Sequence, residues 1–343
     1  VEQPAARYQE VEFVRIVALE EHFATEQFLE GPGRDHFQRM AAGSQRFPGG
    51  VGGLVERLGD VAAGRIAEMD AAGVDVQVLS LTAPGLEQVP GSEAVALARA
   101  INDDLADAIR HYPQRLAGFA ALPTAEPAAA ADELERVVRE YHFVGAVING
   151  HCRGRRLDDE FFWPILERAE ALETPLYLHP TPPPESVLGP LYAGNYPQAV
   201  TQVLATAGWG WHIETATHVL RLILSGALDR FPGLQIVIGH MGEALPAMIP
   251  RLDRTLPTAL TTLALAPSDY LRRNVHYTFS GFNWTSAFVE LMFQVGVDRI
   301  MFSTDYPYAS MAEATAFLET IPVSPHDRER IAHGNADELL RLT

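Results

Sequence analysis

The sequence predicts an α/β fold, a (β/α)8 TIM barrel with a lid insertion after strand one. Three observations predict it. About eight short apolar strands alternate with helical stretches from residue 15 onward. No repeat, low-complexity tract or clear linker divides the 343 residues, a length that one large domain can use. Several strands end in a residue type that ligates metals, and strand ends are where such a barrel places its chemistry. A doubly wound open sheet is the alternative, but the first strand–helix turn lacks the Gly-x-Gly-x-x-Gly with which such sheets bind dinucleotides.

Taken in order, residues 1–10 are polar and lack the pattern of a signal peptide, and residues 1–14 read as a poorly ordered or peripheral arm before a single domain over 15–343. Strand one, 15–22, is an apolar run that ends in Glu20-Glu21-His22. Side chains alternate along a strand, so Glu20 and His22 share a face and Glu21 points the other way. Residues 31–53 are Gly-rich, carry Arg34, Arg39, Arg46 and Phe47, and read as a loop or lid. Helical spacing over 55–72 leads into a strand at 74–81, and a helix over 92–111 is stopped by Pro113. A strand at 116–122, a helix over 127–141 and a strand at 143–148 follow, the last ending in Asn149-Gly150. A helix over 158–172, capped by Asp158 or Asp159, precedes a strand at 175–179. Residues 180–210, with three consecutive prolines, read as irregular. A helix over 212–231, a strand at 235–240 and a helix over 242–255 with Pro246 in its first turn come next. A strand at 275–280, a helix over 286–295, a strand at 299–303 and helices over 311–320 and 325–342 complete the chain.

Composition narrows the chemistry. The content is 47% hydrophobic and 20% charged, as in a globular enzyme, and no apolar run is long enough to span a membrane. With 44 acidic against 26 basic residues, the net charge of -18 repels nucleic acid and anionic membranes, so neither is expected as a partner. Every basic residue is arginine. Schiff-base lysine chemistry, a P-loop lysine and a carbamylated lysine bridging two metals are thereby excluded. The single cysteine, Cys152, excludes an intrachain disulfide framework and a cysteine zinc cluster, and a cytoplasmic protein is expected.

Four strand ends carry the candidate chemistry. Strand one ends in Glu20 and His22, the strand at 175–179 in His179-Pro180, and the strand at 235–240 in His240-Met241-Gly242-Glu243. The last strand leads into Thr304-Asp305-Tyr306-Pro307. Alone, Glu-x-His is a weak signal, and a lone histidine is more often a hydrogen-bonded loop residue. One Glu, three His and one Asp at the same rim point together to a mononuclear metal site.

These motifs resemble a known group. Ala18-Leu19-Glu20-Glu21-His22-Phe23, Tyr177-Leu178-His179-Pro180, Gly239-His240-Met241-Gly242-Glu243-Ala244-Leu245-Pro246 and Phe302-Ser303-Thr304-Asp305-Tyr306-Pro307 are similar to those of the amidohydrolase superfamily. Within it they resemble the decarboxylase branch, which includes ortho-hydroxybenzoate (γ-resorcylate, dihydroxybenzoate, salicylate) and aminocarboxymuconate semialdehyde decarboxylases. Glu214-Thr215-Ala216-Thr217-His218 and Leu228-Asp229-Arg230-Phe231-Pro232 extend the similarity, which runs from about Arg15 to Leu342. The resemblance implies a metal-dependent hydrolase-like barrel in which Glu20, His22, His179 and Asp305 hold one divalent metal. His240 and Glu243 would stand beside it as a catalytic pair. The more widespread first motif of the superfamily is His-x-His, and Glu20 in its place favours the hydroxybenzoate decarboxylases. Such a donor set leaves positions open; imidazole suits zinc, and two carboxylates also suit manganese or magnesium.

The expected reaction is loss of carbon dioxide from an ortho-hydroxylated aromatic acid, with no organic cofactor. An ionised ortho hydroxyl pushes electron density onto the carbon that bears the carboxylate. A positioned acid then protonates that carbon, and the dearomatised intermediate expels carbon dioxide. The acid is Asp305, or His240 as imidazolium steadied by Glu243. An anionic substrate also needs a cation, and relatives carry an arginine at the spacing of Arg251. In the aminocarboxymuconate relatives that arginine enters the neighbouring subunit's site, which here implies a homodimer or homotetramer; the plain alternative is a surface arginine. Phe23 is a candidate for packing on the substrate ring, or else barrel-top packing. His212, Glu214 and His218 read as a helix face or interface. Trp209, Trp211 and Trp284 read as pocket or dimer bulk, and Ser280 and Asn283 as candidate neighbours of the substrate. A metal-dependent hydrolase of a lactone or related ester is the competing reading, and a catalytically silent binding barrel is the third.

Overall fold

The computed structural model describes residues 14–41 and 49–342. Eight strands pair side by side in sequence order, all parallel: β1 (Val17–Phe23), β2 (Val76–Leu81), β3 (Leu116–Ala121), β4 (Gly145–Asn149), β5 (Leu176–His179), β6 (Ile236–Ile238), β7 (Val275–Thr278) and β8 (Ile300–Met301). The ring closes between the last strand and the first. Leu19 N–H donates to the Phe302 carbonyl (3.3 Å), Asp305 N–H to Glu20 (3.0 Å) and His22 N–H to Tyr306 (2.7 Å). Helices link the strands on the outside, so this is the (β/α)8 barrel that the alternation predicts.

Two apolar layers hold it. Inside, Val17, Leu19, Val78, Phe119, Tyr177 and Val237 meet across the barrel axis, and Ala336 and Leu340 of the C-terminal helix (Asn335–Leu340) join them from one end. Outside, a larger cluster fills the space between sheet and helices, from Phe28 through Leu134, Ile165 and Leu222 to Phe317. Strands buried on both faces need apolar residues at consecutive positions, which is why β6 and the start of β1, Val17 to Leu19, read as unbroken apolar runs rather than alternating ones.

An irregularity in β1 aims the chemistry. Val17 and Leu19 both face the interior, so unbroken alternation would send Glu21 inward and Glu20 outward. The pairing register of β1 on β2 shifts between Ala18 and Glu21. The shift turns Glu20 and His22 inward together and leaves Glu21 on the outer side, the way bulges re-aim side chains beside active sites. There Glu21 accepts hydrogen bonds from the Thr304 N–H (2.8 Å), the Thr304 hydroxyl (2.6 Å) and Gln77 (3.1 Å). Burial holds its carboxyl up at about 8, against the hydrogen bonds from Thr304 and the charge of Arg65.

Several segments differ from their sequence expectation. Residues 31–53 are not an irregular loop in their described part. They form a helix over Arg34–Ala41 and the start of another over Gly50–Gly59, while Arg46 and Phe47 lie outside the described residues. The arm expected over 1–14 also lies outside them, save Val14, which packs on the core. The helix expected over 55–72 is broken between Gly59 and Ala63, where the Asp60 side chain accepts from the Ala62 N–H (2.9 Å). That over 212–231 ends at Leu224 and resumes after Gly226. The last is three consecutive short helical pieces, Pro325–Glu329, Arg330–Gly334 and Asn335–Leu340. Among the described residues, no helix is long and apolar enough to cross a membrane.

Candidate metal centre

The ends of β1, β5 and β8 converge at one rim. Glu20, His22, His179 and Asp305 each offer a ligand-type atom, and the four atoms lie within 4.8 Å of one another. His22 Nε2 is 3.2 Å from Asp305 Oδ1, and His179 Nε2 is 3.3 Å from Glu20 Oε1. Each of these candidate ligands is held from behind. His22 Nδ1 faces the Ser80 hydroxyl at 3.3 Å, and His179 Nδ1 faces Asn149 Oδ1 at 3.0 Å. With the proton on Nδ1, both rings present an Nε2 lone pair to the centre. Asn149 is held in turn, its N–H donating to Glu87 Oε1 at 2.9 Å. Glu20 Oε2 accepts from the Tyr177 and Ser280 hydroxyls inside the barrel, which leaves Oε1 toward the centre. Asp305 has φ 65°, and its N–H is tied to the Glu20 carbonyl.

The electrostatics suit a cation. Burial disfavours charge on the two histidines of the quartet: it takes His22 down to about 4 and lowers His179, so both are neutral imidazoles. Burial also works against the Glu20 carboxylate, but His240, His179 and His22 around it hold it well below the usual range. Glu20 Oε1 and His22 Nε2 are sealed in the protein with no hydrogen-bond partner. Two buried, partnerless donor atoms aimed at one point are costly unless something binds there. One carboxylate, two neutral imidazoles and a second carboxylate are a fitting set for one divalent metal.

Beside the quartet stands a second group. His240 Nδ1 donates to Glu243 Oε1 at 2.8 Å, and its Nε2 lies 3.8 Å from Glu20 Oε1. Burial opposes charge on His240, but Glu243 and Glu20 outweigh it and carry the ring up to about 10. Glu243, despite its burial, is held below its ordinary value by His240 and His212. No helix begins at 241 or 242, contrary to the sequence expectation. His240, Met241, Gly242, Glu243 and Ala244 all have positive φ, and the helical stretch starts only at Pro246. This left-handed turn folds Glu243 back under His240, a costly backbone of the kind kept at functional sites.

Sequence reasoning missed His212, which it assigned to a helix face. His212 stands in the first turn of the helix Gly210–Leu224, and its Nδ1 meets Glu243 Oε2 at 2.6 Å. Its Nε2 faces the Ala207 carbonyl at 3.2 Å. Glu243 thus bridges two histidines, one oxygen to each. The available signal was position, since a helix start after a strand-end loop belongs to the chemical rim. His218, by contrast, is structural: its Nε2 accepts from the Leu157 N–H at 3.0 Å.

A cavity of about 210 Å³ opens over the quartet, lined by His179, Asp305, His240, His212, Phe282 and Trp211 among others. It is smaller than drug-sized sites and matches a small ligand. Two expected substrate contacts are not in it. Phe23 is turned outward into the packing between strand and helices, as alternation from His22 requires. Arg251 is exposed on the helix Ile249–Thr255 and does not line its own chain's cavity. Trp209 and Trp284 are exposed as well, whereas Ser280 both lines the cavity and holds Glu20.

Comparison with known proteins gives a consistent result. A family model described as Amidohydrolase matches residues 18–342. The chain is 36% identical over 342 residues to a γ-resorcylate decarboxylase of Polaromonas sp., covering 95% of this chain and 98% of that one. A crystal structure of a 2,6-dihydroxybenzoate decarboxylase complexed with 2,6-dihydroxybenzoate superposes with a TM-score of 0.86 at 34% identity, covering 96% of this chain and all of that one. A dihydroxybenzoic acid decarboxylase from Polaromonas sp., with bound manganese and the inhibitor 2-nitroresorcinol, gives a TM-score of 0.86 at 36% identity, covering 96% and 97%.

Proposed function

The chain belongs to the amidohydrolase family, and from that premise we propose that it is a metal-dependent, non-oxidative decarboxylase of an ortho-hydroxylated aromatic carboxylic acid. The observation that carries the reading is the quartet Glu20, His22, His179 and Asp305, with two donor atoms left partnerless, facing a cavity that also holds His240. Manganese, which a similar decarboxylase holds, is the first metal to test, with zinc and magnesium beside it.

Glu20, His22, His179 and Asp305 would hold one divalent ion, which when bound would supply Lewis acidity toward substrate oxygens. The remaining tasks fall to the protein. Phe282 and Trp211 wall the cavity with aromatic surface, which limits water around a single ring. Glu243, fixed by His212 behind it, orients His240 and favours its imidazolium form. His240 Nε2–H points to the cavity and is the proton source that this geometry offers for the ring carbon. Protonation there converts the ring to a species that releases carbon dioxide and regains its aromaticity. Asp305, on the same rim, is the other candidate donor.

Arg251 completes the proposal at the level of assembly. It lies outside its own cavity, three residues beyond the exposed Met248, and Leu191, Val200, Val203 and Trp209 are further exposed apolar side chains. Apolar surface of this kind is what a second copy covers. We assign Arg251 to the substrate carboxylate in a neighbouring subunit, in a homodimer or homotetramer.

The test is carbon dioxide release from a panel of hydroxybenzoates by protein stripped of metal and reloaded with manganese, zinc or magnesium. Metal-dependent release from an ortho-hydroxy acid, lost in Asp305→Ala, is the expected result. Hydrolysis of lactones without gas release from any acid would replace this reading.

A further inference from the structure

Four buried hydroxyls form one connected set with Glu20. They belong to Tyr177, Thr278, Ser280 and Ser303, and none of these residues is more than 1% exposed. Their contacts decide which atom donates. Tyr177 and Ser280 each direct their single proton to Glu20 Oε2. The Thr278 hydroxyl lies 2.8 Å from the Tyr177 oxygen and 2.8 Å from the Ser280 oxygen. Both of those protons are already directed to Glu20, so Thr278 is the donor to one of the two oxygens. Ser303 Oγ accepts the Ser280 N–H at 2.7 Å and lies 2.9 Å from Ser280 Oγ, toward which it too is the donor. All four protons therefore run toward one oxygen, Glu20 Oε2, while Oε1 has no hydrogen-bond partner. Thr278 and Ser303 belong neither to the quartet nor to the cavity wall.

We propose that Thr278 and Ser303 are positioning residues for the metal centre: by donating to the Tyr177 and Ser280 oxygens they keep both hydroxyls turned to Glu20 Oε2, which leaves Oε1 to the ion. The inference rests on the metal-centre reading and adds to it two residues that touch neither ion nor substrate. A hydroxyl whose oxygen already accepts a hydrogen bond is polarised along the chain and donates its own proton more strongly. Ser303 also fixes the donor itself. Ser280 sits at φ 47°, and its N–H bond to Ser303 helps to hold that backbone. The single polarity of the set suits a carboxylate, one oxygen of which takes both donors. A neutral imidazole at position 20 would offer one lone pair to the two.

The test measures manganese affinity, by competition with a chelator, in the wild-type chain and in Tyr177→Phe, Thr278→Val, Thr278→Ser and Ser303→Ala. Tyr177→Phe removes a direct donor to Glu20 and is expected to weaken binding about 10- to 100-fold. Thr278→Val and Ser303→Ala are each expected to weaken it about two- to tenfold, the range of one net hydrogen bond. Valine keeps the shape of threonine and loses the hydroxyl, whereas serine keeps the hydroxyl and loses the methyl group. Thr278→Ser should therefore bind manganese as the wild type does. Wild-type affinity in either Thr278→Val or Ser303→Ala overturns the proposal, and so does a Thr278→Ser no better than Thr278→Val, which marks a packing role. A second arm needs no metal. In urea unfolding of the metal-free protein, Thr278→Val should lower the midpoint less in a Glu20→Met background than beside the native Glu20, because the set has then lost its acceptor. Equal shifts in the two backgrounds overturn the proposal. If the wild type binds no divalent ion, the metal-centre reading fails, and this arm still decides whether Thr278 acts on Glu20.

Discussion

Three histidines within one rim are given different protonation states by what their Nδ1 atoms face. Nδ1 of His22 faces a hydroxyl and that of His179 an amide oxygen, so burial dominates and both stay neutral. Nδ1 of His240 faces a carboxylate, and the same burial is overcome. His212 matters because it shares that carboxylate. His212→Phe removes the donor to Glu243 Oε2 and leaves a buried carboxylate oxygen unsatisfied, a loss of about 1–3 kcal/mol or more. A fall in kcat of about tenfold to a thousandfold is expected for disabling an acid–base pair in part, while bound metal per chain stays unchanged. His212→Gln keeps an N–H donor and recovers part of the rate. Steady-state kinetics with elemental analysis of the same samples checks this; loss of metal together with activity would place His212 in the metal centre instead.

At the scale of elements, strand ends were legible in the sequence and backbone irregularities were not. That Glu20, His22, His179, His240 and Asp305 share one rim follows from reading where apolar runs stop, because a barrel places all such stops together, while the choice of four as metal holders came from the resemblance. The register shift in β1 leaves no mark in Ala18-Leu19-Glu20-Glu21, so only the relative facing of Glu20 and His22 was readable, not the inward turn of both Leu19 and Glu20. Likewise Met241 to Ala244 carries helix-compatible residues, and long-range packing rather than propensity selects the left-handed turn. Gly239 at the head of this turn makes the coupling testable. A Cβ at Gly239 would overlap Glu20 Oε2 and lie 2.8 Å from Ser280 Oγ and 3.1 Å from the Tyr177 hydroxyl. Gly239→Ala must therefore displace the carboxylate or its two donors. Metal affinity is expected to fall about 10- to 100-fold, the usual effect of disturbing groups that orient a ligand, with the circular dichroism spectrum unchanged. Competition with a chelator measures it, and wild-type affinity in Gly239→Ala would show that Glu20 does not need this cradle.

For the molecule as a whole, the difficulty is charge. A chain of net charge -18 has to hold an anionic acid in a cavity where, among the described residues, no arginine of the same chain lines the wall. A metal held by the quartet, with His240, would offset part of that field, and a cation from a second copy would offset more, which is the part assigned above to Arg251. The assignment makes a prediction that no single-chain model shares. Arg251→Ala and Asp305→Asn should each be nearly inactive as pure assemblies. Co-expressed in equal amounts, half of the dimers carry one chain of each kind. One of their two cavities then combines the intact Asp305 of one chain with the intact Arg251 of the other. Activity should return to about a quarter of the wild-type value per chain if subunits pair at random and Arg251 acts across the interface. If Arg251 acts within its own chain, or only stabilises the fold, every cavity in the mixture carries a defect and no activity returns. Two different affinity tags on the two variants, with sequential purification on both, isolate the hybrids directly, so an absence of recovery in them would count against the shared site.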